Sequence, residues 1–486
     1  MIGTANGIRI DRLVDRMAAL RPHHPALING EQQWTFAQVL VEMDRRAAVL
    51  LASGLQPGEV VGTTEPISGD LLITFLACCR ADLSLLSLSG RLATTEARPL
   101  LLRAAVRLLL TDDAGPHPAL PTISSLAVEL PGDLSAPTSA GITAPLADDS
   151  GDTERVVLLQ SSSGTSGGGL KLVRVPHRQL TWQYPRSLWW DGPEQVSFNT
   201  IGSHFPARKW CESLASGSTY VQASTTDIRQ MEAEMVRHCV TILRVVPALL
   251  HGFLAQPKPP PPALALAFIR SGAAPLAPQL SQRATARYGV PVVEEYGSTE
   301  GGGMIGTPQE GAPPGSIGKP YAGVTARIVD DAGVDLPDGV IGELLIRTPG
   351  LSLGYLDDPE ADARSFNDGW LHTSDLARRD AAGFYYLSGR SALRINIGGL
   401  MVSPEEVEAV LEQHPAVREV AVLSAADEAR GEVIRAVIVP HGARPAIGEL
   451  QRFCREQLAG YKILRHWEFR DTLPRSALGK VLRHAL

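Results

Sequence analysis

Five stretches of this chain carry side chains suited to handling a phosphorylated nucleotide. The first, Ser161-Ser-Ser-Gly-Thr-Ser-Gly-Gly-Gly-Leu-Lys171, offers five hydroxyls, closely approachable glycine amides and one cation. Such a nest fits the oxygens of β- and γ-phosphates. A Walker loop would need Gly-Lys-Ser/Thr opening a helix, but Leu170 and Leu172 flank Lys171 here. Gly164-Thr-Ser-Gly-Gly168 also matches the G-x-S-x-G elbow of serine hydrolases, with Ser166 as nucleophile and 12 histidines available as bases. That elbow needs a helix after the serine, whereas Leu170-Lys-Leu-Val-Arg-Val175 reads as a strand. In Tyr296-Gly-Ser-Thr-Glu300 an aromatic can stack on a base, a hydroxyl can reach a phosphate, and a carboxylate can bind Mg²⁺ as a hard oxygen ligand. Asp375, after Trp370-Leu-His-Thr-Ser, can accept both hydroxyls of a ribose, and Arg390 can hold the ribose or a phosphate from the other side. Lys480 sits beside Gly479 on a tail six residues from the last position, as a cation free to approach and leave.

Composition narrows the function classes. Net charge is −7 over 486 residues, so no basic face for nucleic acid is implied. The five cysteines are scattered without CxxC or CxH spacing, against a zinc site and against a disulfide framework. The first residues hold no apolar core of signal-peptide length. Leu71–Cys79 is too short to span a bilayer. A cytoplasmic protein without a membrane span is expected.

The elements that must position these groups follow from periodicity. Thr35 caps a helix with apolar residues at helical spacing, Ser68 starts another, and Gly58–Gly62 and Val106–Leu110 read as strands. Alternation of this kind favours parallel sheets covered by helices. A Pro/Ser/Asp-rich passage near 131–154 reads as an exposed linker. Between about 316 and 390 short strands separated by Gly and Asp turns predict a small β-rich unit. After Arg390 a compact α/β unit is expected, with strands around 418–423 and 433–439 and helices at 403–413 and 446–458.

In this order and spacing the five stretches resemble the ANL superfamily: acyl- and aryl-CoA synthetases, adenylation domains of peptide synthetases, and luciferases. The resemblance runs over about residues 10–486. It is supported by Ser271-Gly-Ala-Ala-Pro-Leu276, Gly342-Glu-Leu344, Ile395-Asn-Ile-Gly-Gly-Leu400 and Leu458-Ala-Gly-Tyr-Lys462. It implies a large N-terminal domain, 1–390, of two helix-covered sheets plus a small β-barrel. A small mobile α/β domain, 391–486, would carry the catalytic lysine. It also implies ATP and Mg²⁺, with a carboxylic acid activated as its acyl-adenylate and passed to a thiol. The thiol would be CoA, or alternatively that of a separate carrier protein. Carried over residue by residue, Ser162, Ser163, Gly164, Thr165, Ser166, Gly167 and Lys171 would hold the phosphates. Gly272, Ala273, Ala274 and Tyr296 would surround the adenine, and Asp375 and Arg390 would hold the ribose. Thr299, Glu300 (the metal ligand) and Lys480 would act on the α-phosphate. His204, Phe205, Arg208, Trp210, Gly297, Gly398 and Gly399 would line the acyl pocket or the thiol tunnel.

The chain departs from the family pattern in three places. The phosphate loop has one extra glycine, with Leu170 where a proline is usual. Ala392 stands where the hinge normally has a charged residue. Pro206 stands where amino-acid-activating members carry an aspartate for the α-ammonium, which disfavours standard α-amino acids, since an unpaired buried ammonium is costly. The first two leave a non-catalytic member as a further alternative.

Overall fold

The computed structural model describes residues 8–65, 67–88, 94–111, 124–127, 152–162, 171–182, 192–200, 205–274, 276–308, 311–390, 395–397, 400–402, 404–427, 431–458, 460–475 and 481–486. The chain divides into two compact units. The first comprises Met1–Gly311, Pro320–Thr325 and Arg347–Leu371; the second comprises Ala312–Lys319, Ala326–Ile346 and His372–Leu486.

Two sheets build the first unit. The smaller has the order β6-β5-β3-β4-β7-β8: Ser124–Ala127, Val106–Thr111, Val60–Thr63, Ser84–Ser87, Val156–Ser162 and Lys171–Pro176. It is parallel except for the antiparallel pair β7–β8, in which Ser162 faces Lys171. The larger sheet begins at its edge with β15 (Lys319–Pro320), β14 (Gly302–Gly306) and β13 (Val292–Ser298). It continues through β12 (Phe268–Gly272), β11 (Ile242–Val245), β9 (Val196–Asn199), β10 (Thr219–Gln222), β1 (Pro25–Asn29) and β2 (Gln32–Thr35). The helices are α1 (Ile10–Leu20), α2 (Phe36–Ala52), α3 (Gly69–Arg80), α4 (Thr94–Arg103), α5 (His177–Thr181), α6 (Ala207–Ser216), α7 (Ile228–Arg237), α8 (Pro247–Leu254), α9 (Pro278–Tyr288) and α10 (Pro359–Ser365).

Local sequence accounts for these elements. Thr35 and Gln38 form a reciprocal capping box at α2, and the Ser68 hydroxyl accepts from Leu71 N at the start of α3. Helix α3 is apolar all round, which is the composition of a helix buried on every side. Its Leu71–Cys79 run packs in one core with Leu27 and Tyr220 of the larger sheet and Val61, Leu85 and Leu108 of the smaller one. The segment after the hydroxyl-rich loop is a strand, β8, and not a helix. A nucleophile elbow and a Walker loop both lack the helix they require.

In the second unit lie most of β16 (Thr325–Val329), β17 (Gly342–Arg347) and β19 (Trp370–Arg379) and all of β20 (Tyr385–Arg390), strands of one small sheet; β18 (Phe366–Asn367) and the start of β19 with which it pairs fall in the first unit. A hairpin of β21 (Ile395–Ile397) and β22 (Leu400–Val402) precedes α11 (Pro404–Leu411). Then come β23 (Val417–Asp427), β24 (Gly431–Pro440), α12 (Ile447–Gln457) and β25 (His466–Phe469). One face of the β23-β24-β25 sheet closes over Val407, Leu411, Leu450 and Cys454 of the two helices. Strands and helices fall close to where periodicity puts them; the linker near 131–154 lies almost wholly outside the described residues.

Four of the five cysteines, Cys78, Cys79, Cys211 and Cys454, are buried, and Cys239 is exposed. Burial pushes the Cys78 thiol up to about 12 and that of Cys454 up to about 11, and raises Cys79 and Cys211 as well. Among the described residues no helix is long and apolar enough to cross a membrane.

Candidate active site

The candidate residues of the first unit gather at the carboxyl ends of parallel strands, where open α/β sheets bind ligands. Tyr296, Gly297 and Ser298 end β13, and Gly272 ends β12. The turn after β13 is tied down on several sides. Ser298 Oγ accepts from Gly301 N at 3.1 Å, Gln179 Nε2 on α5 donates to Thr299 O at 2.8 Å, and Ser352 N donates to Glu300 O at 2.8 Å. Position 297 has no room for a side chain: a Cβ there would lie 2.3 Å from the Gly302 carbonyl oxygen. Ala273 follows at φ +69°, a left-handed conformation that an alanine adopts at a cost. Tyr296 is buried, whereas Gly297, Ala273 and Ala274 are exposed and Thr299 and Glu300 are half-buried.

Tyr355 connects two of the candidate stretches. Its hydroxyl donates to Glu300 Oε1 at 2.9 Å, and the Lys171 ammonium lies over its ring, 4.8 Å from the centroid. Leu356 N donates to Leu172 O and Leu353 N to Arg174 O, which binds the Tyr355 segment to β8. Burial, then the Glu300 charge, pushes the Tyr355 phenol far up, so it stays a donor at any working pH. Ser162 and Lys171 bracket the hydroxyl-rich loop; Ser163, Gly164, Thr165, Ser166 and Gly167 lie outside the described residues, as do His204, Gly398, Gly399 and Lys480.

An ionic network lines the same sheet beside this turn. Arg244, Arg270 and Glu295 project to one face of β11, β12 and β13, because Arg244 is in register with Arg270 and Arg270 with Val293, two residues before Glu295. Arg208 and Glu212, one helical turn apart on α6, meet them. Arg208 donates to Glu212 Oε1 at 2.8 Å and to Glu295. Arg244 and Arg270 donate to Glu212 Oε2 at 2.6 and 3.2 Å. Glu295 also accepts from Arg270 and, at 3.1 Å, from the Tyr321 hydroxyl. Burial opposes the charge on Glu212, but Arg270, Arg208 and Arg244 outweigh it and hold the carboxyl at about 2. Glu295 is likewise held well below the usual carboxylate range, by Arg208 and Arg270 against its burial. Phe205 and Trp210 are core residues, in edge contact with Phe75 and in tilted contact with Tyr220. Of the described residues assigned to the pocket stretch of α6, Arg208 is the one that reaches the β13–β14 turn, with its Cδ 3.9 Å from where a Gly302 Cβ would be.

In the second unit, Asp375 and Arg390 are directly opposed partners on β19 and β20. Thr373 Oγ1 donates to Leu344 O at 2.7 Å and accepts from Asp375 N at 3.1 Å. Ser374 takes φ +57° and its N–H donates to Glu343 Oε1 at 3.3 Å. Glu343 thereby sets the backbone that presents Asp375.

Sequence reasoning missed Tyr355, Gln179, Glu343 and the network residues beyond Arg208. A signal for the network existed: Ile242-Leu-Arg-Val245 and Phe268-Ile-Arg-Ser271 each place an arginine inside an otherwise buried parallel strand, which happens only when the charge is paired.

A family model described as AMP-binding enzyme matches residues 14–356, and one described as AMP-binding enzyme C-terminal domain matches 406–480. The chain belongs to the AMP-binding enzyme family. It is thus a member of the ANL superfamily and an AMP-forming acid–thiol ligase of the acyl-CoA synthetase kind. Among its relatives, a protein described as "Probable CoA ligase" from Humulus lupulus is 30% identical, the match covering 99% of this chain and 96% of the relative. A fatty acid–[acyl-carrier-protein] ligase of Streptomyces coeruleorubidus is also 30% identical, over 96% and 93% of the two chains. Among solved structures, o-succinylbenzoate coenzyme A synthetase of Bacillus subtilis in complex with ATP and a magnesium ion is 26% identical. It superposes with a TM-score of 0.85, covering 97% of this chain and 98% of that one.

Proposed function

We propose that this member of the AMP-binding enzyme family condenses a carboxylic acid with ATP, releasing pyrophosphate, and passes the acyl group to CoA. A free carboxylate acylates poorly because its leaving group would be oxide. Attack of a carboxylate oxygen on the α-phosphorus expels pyrophosphate and gives an acyl-adenylate. A thiolate sulfur then attacks the acyl carbon, and AMP leaves with the electron pair.

The observation that carries this reading is Tyr355, which holds Glu300 by its hydroxyl and Lys171 by its ring, next to the Thr299 turn. A phosphate-binding cation and a hard oxygen ligand are thus fixed together. Among the described residues no group of three or more His, Cys, Asp or Glu could hold a metal. That suits Mg²⁺, which takes one or two carboxylates and completes its shell with phosphate oxygens and water. Glu300 is the ligand in this reading, and the ion would neutralise charge developing on the phosphates. Ser162 to Lys171 cradle the phosphates, Thr299 contacts the α-phosphate, and Gly272, Ala273, Ala274 and Tyr296 surround the adenine. Asp375 and Arg390 hold the ribose. Lys480, on a C-terminal domain beginning near 391, bridges the acid and the α-phosphate, then withdraws while Gly398 and Gly399 line the thiol's approach. The near full-length similarity to a carrier-protein ligase favours one second reading, in which the thiol belongs to a separate carrier protein.

The test is ATP- and Mg²⁺-dependent pyrophosphate release with hydroxylamine as trap, run over an acid panel with and without CoA. CoA-thioester formation supports the first reading, and adenylate without transfer to CoA supports the second. Lys480→Ala should abolish adenylate formation yet spare thioester formation from supplied acyl-adenylate. Loss of both steps, or of neither, refutes the role given to Lys480.

A further inference from the structure

Among the described residues, Ser374 is the one non-glycine residue with a positive φ inside a strand: it takes φ +57° within β19. A residue with a Cβ is strained in that left-handed conformation. Such strain persists only where the surroundings over-determine it, and its usual place is a functional site.

The surroundings here are two consecutive residues of β17. Glu343 Oε1 accepts from Ser374 N at 3.3 Å, and Leu344 O accepts from Thr373 Oγ1 at 2.7 Å. The same Thr373 hydroxyl accepts from Asp375 N at 3.1 Å, so residues 373, 374 and 375 are held as one turn. The second oxygen of Glu343 lies 3.5 Å from His372 Nδ1, so this half-buried carboxylate braces β19 on both sides of Thr373. Of these contacts, only that of Glu343 acts on the strained peptide itself. Strand residues alternate in direction, and a left-handed residue breaks the alternation. The direction of Asp375 is therefore decided at Ser374, whereas Arg390, its register partner, follows its own strand.

We infer that Glu343 is a positioning residue that holds Ser374 left-handed, so that Asp375 meets both ribose hydroxyls at once, and thereby sets a preference for ATP over 2′-deoxy-ATP. The inference rests on the ribose-binding role given to Asp375 above and adds the residue that makes that contact selective. One hydroxyl can reach a carboxylate from many directions, whereas a two-point contact demands a fixed geometry. If Ser374 relaxed to an extended φ, Asp375 would swing away from its place opposite Arg390, and the two-point contact would be lost. Glycine takes a positive φ about as readily as a negative one, so a glycine at 374 would make Glu343 dispensable.

The experiment measures KM for ATP and for 2′-deoxy-ATP in pyrophosphate release by the full chain, with an acid that wild type activates. A hydrogen bond to a charged group corresponds to about tenfold, so the wild-type KM for 2′-deoxy-ATP should exceed that for ATP by about that factor. Glu343→Ala should raise KM for ATP and bring the ratio of the two close to one. Adding Ser374→Gly to Glu343→Ala should restore the wild-type ratio; a merely structural loss would not be repaired by removing a second side chain. Asp375→Ala, run alongside, should abolish the preference outright. If it does, an undiminished ratio in Glu343→Ala, or no recovery in the double variant, would overturn the inference and leave the ribose assignment standing. Equal KM values for the two nucleotides in wild type would also overturn it. An unchanged KM for ATP in Asp375→Ala would overturn the ribose assignment and the inference with it, and no release with any acid would overturn the ligase reading as well. Folding is checked by circular dichroism. Should Glu343→Ala not fold, Ser374→Val, which disfavours the positive φ with Glu343 in place, must lower the ratio, and an unchanged ratio there overturns the inference.

Discussion

Tyr355→Phe removes one oxygen from the clasp between Lys171 and Glu300 and leaves the ring in place. The lost bond is a single 2.9 Å hydrogen bond from a phenol to a carboxylate, with Tyr355 only 7% exposed. Hydrogen bonds to charged groups contribute about 1.5–3 kcal/mol net. Glu300 is half-buried, so water replaces part of what is lost, and the lower end of the range applies. About 1.5 kcal/mol corresponds to roughly tenfold in rate. If Glu300 must be held in place to bind Mg²⁺, the loss should appear mainly as a raised Mg²⁺ requirement for pyrophosphate release. It should shrink at high Mg²⁺. Tyr355→Leu also removes the ring under the Lys171 ammonium, and with it a cation–π contact of about 0.5–1 kcal/mol, so it should cost more at every Mg²⁺ concentration. A Tyr355→Phe enzyme within twofold of wild type throughout the Mg²⁺ titration would refute the clasp. So would a loss that Mg²⁺ leaves unchanged.

Three further outcomes are expected. Gly297→Ala sets a Cβ 2.3 Å from the Gly302 oxygen; forcing β13 and β14 apart should cost about 1–3 kcal/mol and at least tenfold in pyrophosphate release, while Gly192→Ala, which meets no atom within 4 Å, should match wild type. Arg270→Met strips Glu212 and Glu295 of a shared partner and should destabilise the first unit by about 3–5 kcal/mol in urea titrations; an unchanged midpoint would mean the network is not worth its apparent bonds. His177 is fully buried, accepts from Ile10 N at 3.1 Å, and is lowered to about 3 by burial and then by the charges of Arg9 and Arg155. Its unfolded form takes a proton below about 6.5 while the folded form does not, so stability falls as pH drops, by about 2 kcal/mol between pH 6.5 and 5. His177→Gln should flatten that dependence, and an equal slope in both proteins would exclude His177 as its source.

The chain announces its elements better than its site. Thr35 with Gln38 and Ser68 mark helix starts by chemistry that acts over three residues, and both caps form. Glu300 and Asp375 stand out because turn and hydroxyl residues precede them, and Lys171 because it closes a run of serines and glycines. The partners that hold them do not stand out, because they are distant in sequence. Tyr355 lies 55 residues from Glu300, and Glu343 lies 31 from Ser374. The Arg208–Glu295–Arg270–Glu212–Arg244 network depends on the register of three parallel strands and on the seat of α6. Neither is fixed by any local pattern. Ser162 and Lys171 show the middle case: strand, loop, strand was readable, and their direct opposition follows once the two strands pair.

An enzyme that builds a mixed anhydride and then offers it to sulfur runs a standing risk from its own thiols. Here that risk is largely absent. Four of the five cysteines are sealed in the interior and stay protonated, so they are neither nucleophiles toward a leaking acyl-adenylate nor targets for an alkylating reagent. Cys239 alone meets solvent, at the turn between α7 and β11. A maleimide dye should therefore attach at one defined point of the wild-type chain. That gives a ready fluorescent reporter for following the protein through its catalytic cycle without first engineering its cysteines away.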